Sequence, residues 1–180
     1  MKIIKTNIEG LLIIEPTIFE DSRGYFMESF SQKEFQNIVG KIDFVQENES
    51  KSKYGVVRGL HFQQGEYAQA KLVRVVIGSV LDVAVDIRVG SPTFGQHLAI
   101  ELSEDNKRQL FIPRGFAHGF SVLSEEAIFQ YKCDNYYNPQ SEGAILWNDP
   151  QLNIDWKIPQ ENILLSDKDK TNNLLSTLLT

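Results

Sequence analysis

The chain is poor in the residues that make cross-links and metal sites. Its one cysteine, Cys133, cannot close an intrachain disulfide, and a lone thiol fits a reducing compartment. Only three histidines occur, His61, His97 and His118, in separate segments. No 18 apolar residues run together as a membrane-crossing helix needs, and the opening MKIIKTNIEGLLIIEP interrupts its apolar residues with charges. The chain is therefore expected in the cytoplasm, away from membranes. Basic charge is scarce as well: the net charge is −6 and no stretch gathers several lysines and arginines, which excludes a nucleic-acid surface. Repeats, low-complexity tracts and Pro/Ser-rich linkers are missing. With 42% hydrophobic residues in 180, one core and one domain spanning 1–180 are expected.

What is present is a series of short apolar runs punctuated by turn residues: LLIIEP, YFMESF, DFVQEN, GVVRGLHFQ, AKLVRVVIG, SVLDVAVDIR, HLAIELS, RQLFIPRG, GFSVLS and AIFQYKC. Such spacing predicts an all-β sandwich or barrel, and between Gly55 and Cys133 nothing is long enough for a crossover helix. One early helix is expected in SQKEFQNIV, where Ser31 and Glu34 have capping-box spacing and Phe35, Ile38 and Val39 share a face. A short helix is expected again around Lys170 to Leu179. NPQSEGAILWNDPQLNIDWKIP, rich in turn formers but holding two tryptophans, reads as an ordered loop region packed on the barrel.

Three segments carry more polarity than packing needs. In AKLVRVV, alternation puts Lys71, Val73 and Val75 on one face and Leu72, Arg74 and Val76 on the other. In LDVAVDIR it groups Asp82, Ala84, Asp86 and Arg88. These charges line either solvent, the default for an antiparallel sheet, or a polar interior. In AIFQYKC, Tyr131 sits between Phe129 and Cys133 on one face, where its hydroxyl needs a partner; a core tyrosine bonded to backbone satisfies that equally well. VVRGLHFQ is the oddest run, with a glycine between Arg58 and His61. Three residues apart on a regular strand they leave opposite faces, so a bulge or bend at Gly59 is expected to bring both to one face.

Pro113-x-Gly115-x-x-His118 resembles the second cupin motif. EPTIFEDSRGYFMESF, FVQENESKSKYGVVRGLHFQ, QAKLVRVVIGSVLDVAVDIRVGSPTFG, NKRQLFIPRGFAHGF and YKCDNYYNPQSEGAILWNDP together resemble the dTDP-4-dehydrorhamnose 3,5-epimerase family over nearly the full length. That resemblance implies a mainly β, cupin-type jelly roll with a few short peripheral helices. It also implies epimerisation of a dTDP-linked 4-keto-6-deoxy sugar. Its catalytic residues match His61 as base, Asp169 as the carboxylate holding it, Lys71 as the group that polarises the C4 carbonyl, and Tyr131 as acid on the other sugar face. Its substrate-binding positions match Arg23, Glu28, Gln46, Asn48, Arg58, His118, Glu142 and Lys168. Metal-binding cupins carry a His-x-His pair in the first motif, where this chain has only His61, so no metal and no cofactor are expected. A homodimer with N-terminal strands crossing between protomers is implied too, with Arg23 and Glu28 completing the neighbouring site. Where the family often has Gln-Asp-Asn followed by His, this chain has Gln46-Glu47-Asn48-Glu49, which bears on base recognition if the side chain at 47 takes part.

Three other readings compete: a mono-epimerase acting at C3 or C5 alone on a related 4-keto sugar, a non-catalytic sugar-nucleotide-binding cupin, and a structural β-sandwich. Product analysis separates the first. Retention of both His61 and Tyr131 argues against the second, and Gly59 beside Arg58 and His61 against the third.

Overall fold

The computed structural model describes residues 1–179. Thirteen strands form among them: β1 Lys2–Lys5, β2 Leu12–Glu15, β3 Phe19–Asp21, β4 Gly24–Phe26, β5 Gln46–Lys53, β6 Val57–Gln63, β7 Lys71–Ile77, β8 Ser79–Asp86, β9 His97–Ser103, β10 Gln109–Ile112, β11 Phe116–Val122, β12 Glu126–Cys133 and β13 Glu142–Ala144. They build a six-stranded sheet in the order β1-β2-β10-β7-β12-β5 and a five-stranded sheet in the order β13-β6-β11-β8-β9, with β3–β4 a separate hairpin. Every pairing within the sheets is antiparallel. This is the mainly β jelly roll that the turn-punctuated runs foreshadow.

Three apolar clusters explain how the runs read. Between the sheets, Val73, Val75 and Phe129 of one meet Ala84, Phe120 and Val122 of the other. On the outer face of the five-stranded sheet, Val83, Val85 and Ala117 pack beneath Ile145, Leu152, Trp156 and Leu175. That sheet is covered on both faces, so β8 and β11 are apolar almost throughout instead of alternating. Both tryptophans lie in this covering segment, and Trp156 Nε1 donates to the Trp147 carbonyl at 2.8 Å. The third cluster lies on the outer face of the six-stranded sheet, where Leu72 and Phe111 meet Phe35. Leu72 and Val73 thus face opposite ways, as the alternation in AKLVRVV requires.

Phe35 is delivered by α1, Gln32–Val39, whose N-cap Ser31 accepts from the Glu34 amide at 3.4 Å. Phe35 is buried and Val39 partly so, whereas Ile38 is exposed; the eight-residue helix is too narrow to turn all three inward. The C-terminal helix is shorter than expected, a 3₁₀ stretch over Leu175–Leu179, because Leu175 is pinned in the outer cluster and its amide donates to Asp149. β1, β3 and β13 fall outside the runs read from sequence. β13 gains its strand character by pairing with β6, a tertiary cause that local sequence does not carry.

Candidate active site

β6 and β11 do not pair regularly. His61 lies opposite His118, while Arg58 lies opposite Phe120, so three steps on β6 match two on β11. The extra residue falls at Gly59 and Leu60, Gly59 has φ +131°, and the Gly59–Leu60 peptide is cis. The bulge expected at Gly59 is therefore present, and it puts Arg58 and His61 on one face, lining one cavity. A side chain has no room there: a Cβ on Gly59 would stand 2.5 Å from the Gly119 Cα, and φ near +131° disfavours any residue with a Cβ.

Two adjoining cavities share His61, Lys71 and Tyr131 in their walls. The outer, about 260 Å³, is also lined by Gln46, Asn48, Gln69, Tyr137 and Glu142. The inner, about 160 Å³, adds Ser50, Arg58, His118 and Phe129. Their floor on the six-stranded sheet is set by register. Tyr131 lies between Val73 and Asn48, and Cys133 between Lys71 and Gln46, so both rows send their side chains the same way. His61 enters from the opposite sheet. Glu47 and Glu49 leave the other face of β5, where Glu47 pairs with Lys132 and Glu49 accepts from Gln130; the departure at 47 does not reach this chain's cavity.

The electrostatics differ around the wall. His61 Nε2 lies 2.6 Å from Asp169 Oδ1. A carboxylate only accepts, so Nε2 carries the hydrogen and Nδ1 is left as the acceptor. Burial works to raise the Asp169 pKa, but hydrogen bonds from His61 and Ser166 outweigh it and hold the carboxyl below its usual range. Burial lowers the Lys71 pKa, opposed by Cys133, Asp82 and Glu142; its ammonium sits 5.7 Å from the Tyr131 ring centre. Burial raises the Tyr131 pKa, with Cys133 adding to the effect and Asn48 and Arg58 opposing it, so the phenol stays protonated. The Cys133 thiol is pushed up to about 11, chiefly by burial. Glu142 accepts from Tyr137 and Lys168 at the outer rim.

A second histidine–carboxylate pair, His118 with Asp82 at 2.9 Å, is buried at the inner end. Sequence reading grouped Asp82 with Asp86 but gave it no partner; its place on the charged face of LDVAVDIR was the available signal. Asp86 is structural, holding Arg88, Ser91 and Thr93. Gln69 and Tyr137 were missed as cavity residues because loop positions follow no period. Arg23 and Glu28 are not brought to the cavity. Arg23 is exposed and forks onto Asp21 at the β3–β4 hairpin, and Glu28 lines a separate depression with Phe19 and Phe26. Among the described residues no group of three His, Cys, Asp or Glu is arranged to hold a metal ion, and no helix is long and apolar enough to cross a membrane.

The cavity of this cupin-type fold sets a carboxylate-held imidazole from one sheet against a phenol and an ammonium from the other, an arrangement that can take a proton from one side of a ring and return one from the other. Comparison with known proteins narrows it. A family profile described as dTDP-4-dehydrorhamnose 3,5-epimerase matches residues 5–177. A relative of that name from Shigella flexneri is 59% identical over 170 residues, covering 94% of this chain and 93% of its own. The solved epimerase of Elizabethkingia anophelis superposes with TM-score 0.94 at 54% identity, over 98% of this chain and 97% of that one. The Legionella pneumophila enzyme, solved with dTDP-4-keto-L-rhamnose, gives 0.93 at 53% identity, over 97% and 93%. The chain belongs to the dTDP-4-dehydrorhamnose 3,5-epimerase family.

Proposed function

We propose that the chain inverts C3 and C5 of dTDP-4-dehydro-6-deoxy-D-glucose, giving dTDP-4-dehydro-L-rhamnose, and that His61, Lys71, Tyr131 and Asp169 carry the chemistry. His61 Nδ1 takes the proton next to the C4 ketone, and the C–H electrons move into an enolate. The Lys71 ammonium stabilises the developing oxyanion. Tyr131 then donates its proton to the opposite face of the carbon, and both groups reset by exchange with water. Asp169 keeps the imidazole in the tautomer with Nδ1 free. The observation that carries this reading is the origin of base and acid on opposite sheets, facing each other across one cavity.

Arg58 and His118, at the inner cavity, suit the diphosphate and sugar, since a guanidinium forks onto phosphate oxygens. Gln46, Asn48, Glu142 and Lys168 bind from the outer side. The nucleotide side is completed in a homodimer by Arg23 and Glu28 of a neighbouring protomer. Two facts support this: these residues lie away from their own chain's cavity, and their hairpin exposes Phe19, Tyr25 and Phe26 at 63%, 53% and 70%. Analytical ultracentrifugation tests the assembly; a fully active monomer excludes it. The whole chain acts as one domain in the cytoplasm, which suits its single reduced thiol.

The deciding experiment is incubation with dTDP-4-keto-6-deoxyglucose in deuterated water. Deuterium at both C3 and C5 is expected. Label at one carbon alone selects a mono-epimerase instead.

A further inference from the structure

The turn that carries Asp169 is tied more closely than supplying one carboxylate oxygen requires. In the stretch Ser166-Asp167-Lys168-Asp169, Ser166 Oγ accepts from the Asp169 amide at 3.2 Å and donates its own hydrogen to Asp169 Oδ2 at 2.8 Å. The same amide reaches the Ser166 carbonyl at 3.1 Å. Oδ1, the other oxygen, faces His61 at 2.6 Å. The terminal torsion of an aspartate is broad and nearly two-fold, so nothing intrinsic selects which oxygen meets the ring, or at what tilt.

We propose that Ser166 is a positioning residue for the epimerisation: its hydroxyl locks the rotation of the Asp169 carboxylate and through it the orientation of His61. This rests on His61 being the base. Without that hydroxyl the carboxylate turns within its broad torsional well, and Oδ1 meets the ring at a range of tilts. The charged or titratable groups around the pair include Lys168 on the same turn, Glu142 from β13, Tyr137 at the outer rim, Lys71 and Tyr131 across the cavity, and Arg58 and His118 at its inner end. The Asn172 amide approaches Asp169 too, but its Nδ2 is short of a full hydrogen bond and does not replace the hydroxyl.

The test begins with deuterium exchange by the unsubstituted chain, since its absence overturns the assigned reaction independently of Ser166. With exchange in hand, Ser166→Ala is expected to lower kcat on the order of tenfold, the size of a lost hydrogen bond to a charged group, with KM unchanged. Ser166→Thr restores the rate. In an Asp169→Asn background Ser166→Ala costs nothing further, because the group it acts through is gone. Should the alanine variant fail to fold, Ser166→Cys, a weak donor of similar size, carries the same expectations. A Ser166→Ala enzyme with the original kcat overturns the proposal, as does failure of threonine to restore it or full additivity with Asp169→Asn.

Discussion

The molecule holds two histidine–carboxylate pairs on one cavity, and they are built differently. His61 keeps 32% of its side chain exposed and takes its partner from a turn 108 residues away; both oxygens of that partner are bonded, to His61 and to Ser166. His118 keeps 8%, its ring stacks on Phe129, and its partner Asp82 comes from the neighbouring strand with Oδ1 unbonded. An imidazole that must take a proton and reset between turnovers needs access to water. One that only lines a wall does not. On the assignment proposed above the same pairing serves two tasks, and solvent access separates them.

The comparison breaks most sharply at the imidazoles. His61→Asn is expected to cut solvent exchange at both carbons by about 10³–10⁴-fold, the scale of a lost general base, with nucleotide affinity retained. His118→Asn should instead raise KM and leave kcat nearly intact. Steady-state kinetics with NMR detection of deuterium separates the two, and equal losses in kcat would refute the division of labour. Next in size is Gly59→Val, which puts a branched side chain at φ +131° against Gly119. A cost of about 3 kcal/mol corresponds to a melting temperature lower by about 6–12 °C. Surviving folded enzyme should lose turnover more than nucleotide affinity, because the bulge that sets the face of His61 is the part displaced.

Asp82→Ala comes third. It leaves the His118 Nε2–H buried without an acceptor, and calorimetry should register about 1–3 kcal/mol of lost stability. The smallest effect is one of pH. Asp169 has a folded pKa below its unfolded value, so its contribution is fully present above about pH 4, the unfolded carboxylate range, and is lost as pH falls through the folded value. Asp169→Asn should lower the melting temperature near neutrality and flatten the acid side of the profile, where the variant and the unsubstituted chain converge.

Much of this was legible in the chain because strand period and turn chemistry are local. The alternation around Lys71 put Leu72 and Val73 on opposite faces, as the two clusters have them. Gly59, an unfavourable residue for a strand, signalled a bulge. Asp82 shows where local reading ends: its partner was decided by β8 lying beside β11, which no pattern within LDVAVDIR states. Ile38 shows the reverse, an apolar residue at helical spacing left in solvent because a short helix had no second surface to meet. The position of Arg23 and Glu28 depends on where a hairpin departs from the sheets, and nothing in SRGYFMES encodes that direction.

Cys133 lies at the end of β12, between β7 and the edge strand β5 of the six-stranded sheet, fully buried, flanked by Lys71 and Gln46 in register, with its thiol pushed up to about 11. A thiol so placed is silent towards alkylating reagents while the chain is closed, since the thiolate is the reactive form. It becomes reactive only when β12 separates from a neighbour. As the single sulfhydryl of the protein, it is a native clock for that opening: its labelling rate under mild conditions measures how often the floor of the cavity comes apart, without any probe having to be introduced.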